Sequence, residues 1–442
     1  MSRRILGPFN RIEGDLEVKI DSEQGQVKQA FVNSTLFRGF EQILQGKDPR
    51  DALVYTPRIC GICSVSQSVA AATALMNAMD IAPAPNGQLA TNLMLACENA
   101  ADHLTHFYLF FMPDFARAPY ADKPWFEEIA QRFTAQKGQS AVAMLKARAD
   151  WLHLTGVLAG KWPHSLAIQP GGSSRAITAQ ERIQMLGTIG AFRQFLQQQL
   201  FGDELESVIS LNSEDALDTW REKHVNSDFD RFLNVAEAIN LDALGQIDVP
   251  LMSYGAYALY EPLTPRYAFS QGVLTLQQGL ATLDASKIAE DVSHSRESAS
   301  PDPLHPYDGR TQPIGEFNEE TQYSWCKAPR LDTQVVEVGA LARQAVNAHP
   351  LIMDLLKRQG SNVRLRVIAR LLELAQLVPL MEQWVKQLAV GDVFCHHGSV
   401  PDYAQGAGMV EAARGSLGHW LSIEKGRIAN YQIIAPTTWN FS

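Results

Sequence analysis

Residues 58–64 read RICGICS, which places Cys60 and Cys63 in a C-x-x-C spacing. Two cysteines at i and i+3 entering a helix turn their thiols to one side, and a helix N-terminus favours thiolate. Such a pair suits a soft metal. A structural zinc site asks for four ligands, often a second C-x-x-C or a His pair. The chain has no second C-x-x-C, and Cys97, Cys326 and Cys395 stand singly. A redox dithiol belongs in a βαβ context, and the residues before Cys60 do not make a convincing strand. Spacing leaves zinc, redox and a share of a larger metal centre open.

Other stretches carry chemistry-bearing residues with simpler readings beside them. CENAADHLTHFYLFF places Asp102, His103 and His106 on one helical stretch. Helical histidines among aromatics are ordinarily packed core residues, although an i, i+3 pair can bind metal. GKWPHSLAIQPGGSSRA joins His164 to Gly171-Gly172, which suits a tight turn or close backbone approach. No G-K-[ST] follows, so it is not a phosphate loop. HHG at 396–398 reads as polar surface as readily as a ligand pair.

The elements that must position these residues are mostly helical. Residues 64–79 and 89–111 are rich in Ala and Leu, and a Thr178-x-x-Glu181 capping box opens a helix to about Phe201. Leu365, Ile368, Leu372 and Ala375 mark an amphipathic helix over 362–378, which Pro379 is expected to kink or end. Alternation at Leu16, Val18 and Ile20, then a turn into VKQAFV, predicts a hairpin. HWLSIEKGRIANYQII predicts a second, turning at Lys425-Gly426. The expected fold is α+β and predominantly helical, a long-helix body with small antiparallel sheets from the two ends. Residues 1–442 are expected to form one domain, with 290–315, polar and proline-rich, as an exposed loop.

Composition excludes several classes. Hydrophobic residues make up 46% and charged residues 19%, a globular balance. A net charge of −10, without clustered Lys and Arg, argues against nucleic acid. The apolar stretches are too short or too interrupted for a transmembrane segment. MSRRILGPFNRIEGD has no apolar run behind its arginines, which is not a signal-peptide pattern. With five cysteines in 442 residues, the expectation is a reduced, cytoplasmic protein.

Taken together, RIEG at 11–14, FRGFE at 37–41, RICGICS at 58–64, DHLTHFY at 102–108, PHSLAIQPGG at 163–172, YSWCKAPR at 323–330, EVGALAR at 337–343, ARGSLGHW at 413–420 and APTTWN at 435–440 resemble the large subunit of nickel–iron hydrogenases. The matches are collinear over nearly the whole chain. The resemblance implies that Cys60 is a terminal nickel ligand and that Cys63 bridges nickel to an iron carrying CO and cyanide. It implies a proton relay through Glu13, and Arg414 over the open metal position, oriented by Asp102. Thr437 would hydrogen-bond a cyanide, and Glu41 would bind Mg2+. Gln67 stands where the family usually has His, a mark of its hydrogen-sensing, regulatory members. Ile62 and Phe110 match positions that are usually Val and Leu, where larger side chains would narrow gas access.

The resemblance also implies partners: a small subunit carrying iron–sulfur clusters, a histidine kinase in sensors, and maturation chaperones. H2 is the implied substrate. The family's second cysteine motif, D-P-C-x-x-C-x-x-H, is not among the 442 residues. The expectation is therefore a chain that, as it stands, is incomplete, metal-free and inactive toward H2. Three other readings stand beside the sensor. One is an uptake hydrogenase, and another is a complex I-type quinone-reductase subunit, which has no use for paired thiolates. The third is an apo or precursor chain held by chaperones.

Overall fold

The computed structural model describes residues 2–9, 12, 15–259 and 266–442. The N-terminal hairpin forms as expected, with an added edge strand. β1 (Ser2–Leu6), β2 (Leu16–Glu23) and β3 (Gln26–Ser34) make an antiparallel sheet, in which Leu16 faces Ser34. Two long helices follow, α1 (Ser64–Ala78) and α2 (Pro85–Thr105). α2 starts earlier than its Leu pattern suggests, because Pro85 supplies a first-turn residue that needs no N–H partner. It continues as a π-helical turn over His106–Phe111.

α3 (Gln139–Ala159) packs beside it, and α4 (Ala179–Phe195) packs on α3. Thr178 and Glu181 form the reciprocal capping box at the start of α4. A central antiparallel sheet, β4 (Leu251–Leu259), β5 (Arg266–Thr275) and β6 (Gly279–Ala281), was not anticipated. β4 is buried along most of its length, so it reads as an apolar run without the alternation that reveals a strand. The short helix α5 (Ala340–Val346) packs on this sheet and on α6 (Val363–Gln387). α6 does not end at Pro379 but runs through it for two more turns. The lost hydrogen bond is offset by burial on both sides, with Leu374, Leu377, Val378, Met381 and Trp384 all in the core.

The C-terminal sheet is β7 (Tyr403–Ala412), β8 (Gly415–Glu424) and β9 (Arg427–Ile434), with Lys425-Gly426 turning as predicted. A five-residue helix, α7 (Pro436–Asn440), closes the described chain. The predominantly helical α+β architecture with small antiparallel sheets is as the sequence implied. The 290–315 segment is irregular but not uniformly exposed. Glu290, Ser295, Glu297 and Thr311 are buried, drawn in by the Lys327 ammonium and by backbone pairing. Among the described residues, no helix is long and apolar enough to cross a membrane.

Candidate metal centre at the N-terminus of α1

α1 lies directly on the backbone of β7. A Cβ added to Gly408 would meet the Ala70 carbonyl oxygen at 1.9 Å, and one on Gly406 would meet that of Ala74 at 2.1 Å. Only glycine permits so close an approach. Because 406 meets 74 and 408 meets 70, continuing along β7 brings residues 412–414 to the Cys63 end of α1. The β7–β8 turn thus carries Arg414 to the cysteines. Its guanidinium hydrogen-bonds Cys60 and donates to Asp102 Oδ1 at 3.3 Å. Burial works against the Arg414 charge, but Asp102 and both cysteines more than offset it.

Cys60 is buried and Cys63 half-buried, and the two sulfurs are hydrogen-bonded to each other. The bond from Cys63 pulls the Cys60 thiol down to about 6, helped by Arg414 and the Ile62 N–H. The same bond and burial push Cys63 well up. The pair thus favours one thiolate and one thiol. That is the state from which a soft cation displaces the remaining proton.

Asp102 sits near the end of α2, and Glu98 lies one turn earlier on the same face. The neighbouring His103 is a packed core residue, its Nε2 3.1 Å from Glu373. His106 is half-buried in the π-helical turn, with its Nδ1 buried and unpartnered. Behind the Arg414 turn lies a fully buried network. Arg343 donates to both Glu373 oxygens at 2.9 and 3.0 Å, to Glu411 at 2.9 Å, and to the Ala412 and Ala413 carbonyls at 2.8 and 3.1 Å. Arg343 therefore fixes the two residues before Arg414.

Gln67 lies one turn into α1, and its N–H bonds the Cys63 carbonyl at 3.1 Å. Its side-chain oxygen is 2.8 Å from His419 Nε2, and His419 Nδ1 is 2.8 Å from the Tyr431 hydroxyl. Burial lowers His419 to about 3, so this chain is neutral.

The remaining sequence candidates are placed separately. Ile62 lies between the cysteines, half-buried, and Phe110 lies in the π-helical turn after Asp102. Thr437 is on α7, which is tied to the site by the Asn440 amide donating to the Arg414 carbonyl at 3.3 Å. Glu13 lies outside the described residues. Gly171 and Gly172 make the close approach expected of them, each 2.2 Å from a backbone oxygen, of His396 and Phe394, once a Cβ is added. Of the single cysteines only Cys97 is fully buried.

Glu41 belongs to a different cluster. Its Oε1 accepts from the Ile433 N–H at 2.7 Å, and its Oε2 takes the Thr311 hydroxyl and the Lys327 ammonium. Glu290 and Glu297 also face Lys327, and Glu290 Oε1 has no partner. Three carboxylates around one ammonium leave negative charge in excess, so the cluster fits a hard cation in charge. It does not fit in geometry, because the Glu41 oxygens are already engaged. Among the described residues no three His, Cys, Asp or Glu converge on a metal-sized point. Cys60 and Cys63 fit a soft metal as two thiolates of a larger set.

The two residues that sequence reasoning missed are Glu98 and Arg343. Each acts across a long stretch of chain, which no local spacing reveals.

The family model described as nickel-dependent hydrogenase matches residues 38–143 and 125–442. The chain belongs to that family of oxidoreductases acting on H2. More particularly, it is a large subunit of the nickel–iron type, and the comparisons with individual proteins agree. The hydrogenase-1 large chain of Citrobacter freundii is 29% identical, over 100% of this chain and 87% of that protein. The uptake hydrogenase large subunit of Rhodobacter capsulatus is 27% identical with the same coverage. The Ni-Fe-Se hydrogenase of D. vulgaris Hildenborough superposes with a TM-score of 0.82 at 25% identity. That match covers 99% of this chain and 90% of that one.

Proposed function

We propose that this hydrogenase large subunit serves H2 sensing, and that Cys60 and Cys63 supply two of the thiolates that hold its nickel–iron centre, so that the complex with its small subunit carries nickel where the sequence alone implied a metal-free chain. The observation that carries the site is the convergence of Cys60, Cys63 and the Asp102-held Arg414 at the start of α1. When bound, the metal pair supplies a soft acceptor for the electron pair of H2 as the bond divides into two protons and two electrons. The chain's own residues do the rest. Cys60 and Cys63 supply thiolates, and Asp102 keeps the Arg414 guanidinium aimed at them. With the metal pair in place, Glu13 would receive the released proton, and Thr437 would donate to a cyanide on the iron. Glu41 is left out of this reading as a Mg2+ ligand, because the Ile433 N–H, the Thr311 hydroxyl and the Lys327 ammonium already engage its oxygens.

Sensing rests on Gln67, which stands where the family usually has His and whose side-chain oxygen is held by His419. Ile62 and Phe110 narrow the gas route. Electrons leave through a small subunit bearing iron–sulfur clusters. Support for that partner comes from the exposed apolar side chains Ile5, Leu6, Phe9, Leu36, Phe37 and Val54 near the N-terminus. A histidine kinase then reads the pair. A second reading, an uptake hydrogenase, is favoured by the name of the Rhodobacter capsulatus relative.

The deciding experiment copurifies the chain with its small subunit and measures dye-linked H2 oxidation beside H2-dependent phosphorylation of an associated kinase. Slow turnover with kinase activity that changes under H2 is expected. Fast turnover with no kinase response would establish the uptake reading instead.

A further inference from the structure

A helix begins with unpaired backbone N–H groups, and the residue at its N-cap ordinarily satisfies one of them with a side-chain oxygen. At α1 the N-cap is Cys63, whose side chain makes no capping hydrogen bond. A thiol is a poor acceptor, and a sulfur used as a cap is not free for another partner. The duty falls to a residue from a different helix. Glu98, on α2, accepts the Val65 N–H on Oε2 at 2.9 Å and the Ser66 N–H on Oε1 at 2.9 Å. The Ser66 hydroxyl adds 3.1 Å to Oε1, and the Ser64 hydroxyl adds 3.4 Å to Oε2. Trp162 Nε1 completes the shell at 2.9 Å on Oε2. The Ser64 hydroxyl oxygen in turn receives the His164 N–H at 3.3 Å. Glu98 is buried, and both of its oxygens are fully engaged.

We propose that Glu98 is a positioning residue, capping α1 in place of Cys63 and so freeing and aiming the Cys63 sulfur. This rests on the reading of Cys60 and Cys63 as thiolate donors. The geometry also couples two parts of the site, because Asp102, which orients Arg414, follows Glu98 by one turn on the same face of α2. A shift of α2 along its axis would move the cap under Cys63 and the partner of Arg414 together. A carboxylate fixed behind α1 further sets the electrostatic field at Cys63, a quantity that metal-bound CO and cyanide report through their stretching frequencies.

The test compares Glu98→Gln and Glu98→Leu with the unaltered protein, each purified with its small subunit. Three quantities are read: amide exchange at Val65 and Ser66, nickel content, and the infrared CO and cyanide bands. Glu98→Gln keeps the shape and one acceptor, so nickel should be retained and the bands should shift. Glu98→Leu removes the cap, and exchange at Val65 and Ser66 should quicken about tenfold while the rest of α1 is unchanged. Nickel should fall with it. Unchanged exchange in Glu98→Leu would overturn the cap. Faster exchange with wild-type nickel and unshifted bands in both variants would overturn the positioning role. An unaltered complex without nickel would sink the metal reading itself, while the exchange data would still decide the cap.

Discussion

Every guanidinium nitrogen of Arg343 is hydrogen-bonded, whereas around Arg414, on the turn that Arg343 holds, contacts are few and long. Arg343 is fully buried and makes five hydrogen bonds, each of 3.1 Å or less, to Glu373, Glu411 and two carbonyls. Glu411 in turn accepts the Tyr254 N–H at 2.8 Å and the Ser416 hydroxyl at 2.6 Å. Arg414 is partly exposed, reaches Asp102 at 3.3 Å, and otherwise faces sulfur. Two arginines of similar charge thus do opposite jobs. A satisfied buried network holds one geometry at the cost of any further binding. An under-satisfied one keeps its capacity for a ligand. The scaffold residue fixes where the site residue points.

The largest effect expected from breaking this contrast is at Arg343. Arg343→Met strands two buried carboxylates and should cost about 3–5 kcal/mol, read as a fall in the urea midpoint. Adding Glu373→Gln and Glu411→Gln should recover part of that loss, because the stranded charges are then removed.

Acid sharpens the comparison. Burial pushes Glu373 up, but Arg343 and His103 outweigh it and hold the carboxyl at about 2, below its ordinary 4.5. Its stabilisation is therefore complete above about 4.5 and is lost as pH falls through about 2. Glu98, pushed up to about 7 by burial, has the opposite sign. Its contribution is complete below about 4.5 and is lost as pH rises through about 7. Unfolding titrations of Glu373→Gln and Glu98→Gln should show these opposite slopes.

Next in size is Gln67→Leu, which leaves His419 Nε2 unpaired in the core and should cost about 1–3 kcal/mol. Smallest is Arg414→Lys. Its stability change should stay within about 1 kcal/mol, while H2 oxidation falls at least tenfold, since a lysine cannot reproduce the guanidinium geometry. A large stability loss at Arg414 would erase the distinction between the two regions.

Local chemistry was legible in the sequence. The C-x-x-C, both hairpins, the Thr178–Glu181 box and the long helices all depend on residues a few positions apart, where period and turn residues act directly. Features set by distant contacts were not legible. Pro379 is carried inside α6 by core packing that overrides its local penalty, and β4 hides because it is buried nearly throughout. Glu98 serves a helix that starts more than thirty residues before it, outside any capping-box spacing. Arg343 meets its carboxylates 30 and 68 residues further along.

The most direct test of the thiolate pair is metal analysis of the complex with the small subunit, produced with unaltered Cys60 and Cys63 and with each changed to Ser. Stoichiometric nickel in the unaltered protein, lost in Cys60→Ser and Cys63→Ser while circular dichroism stays the same, is the predicted result. Nickel retained in both variants would contradict the assignment of these two thiolates.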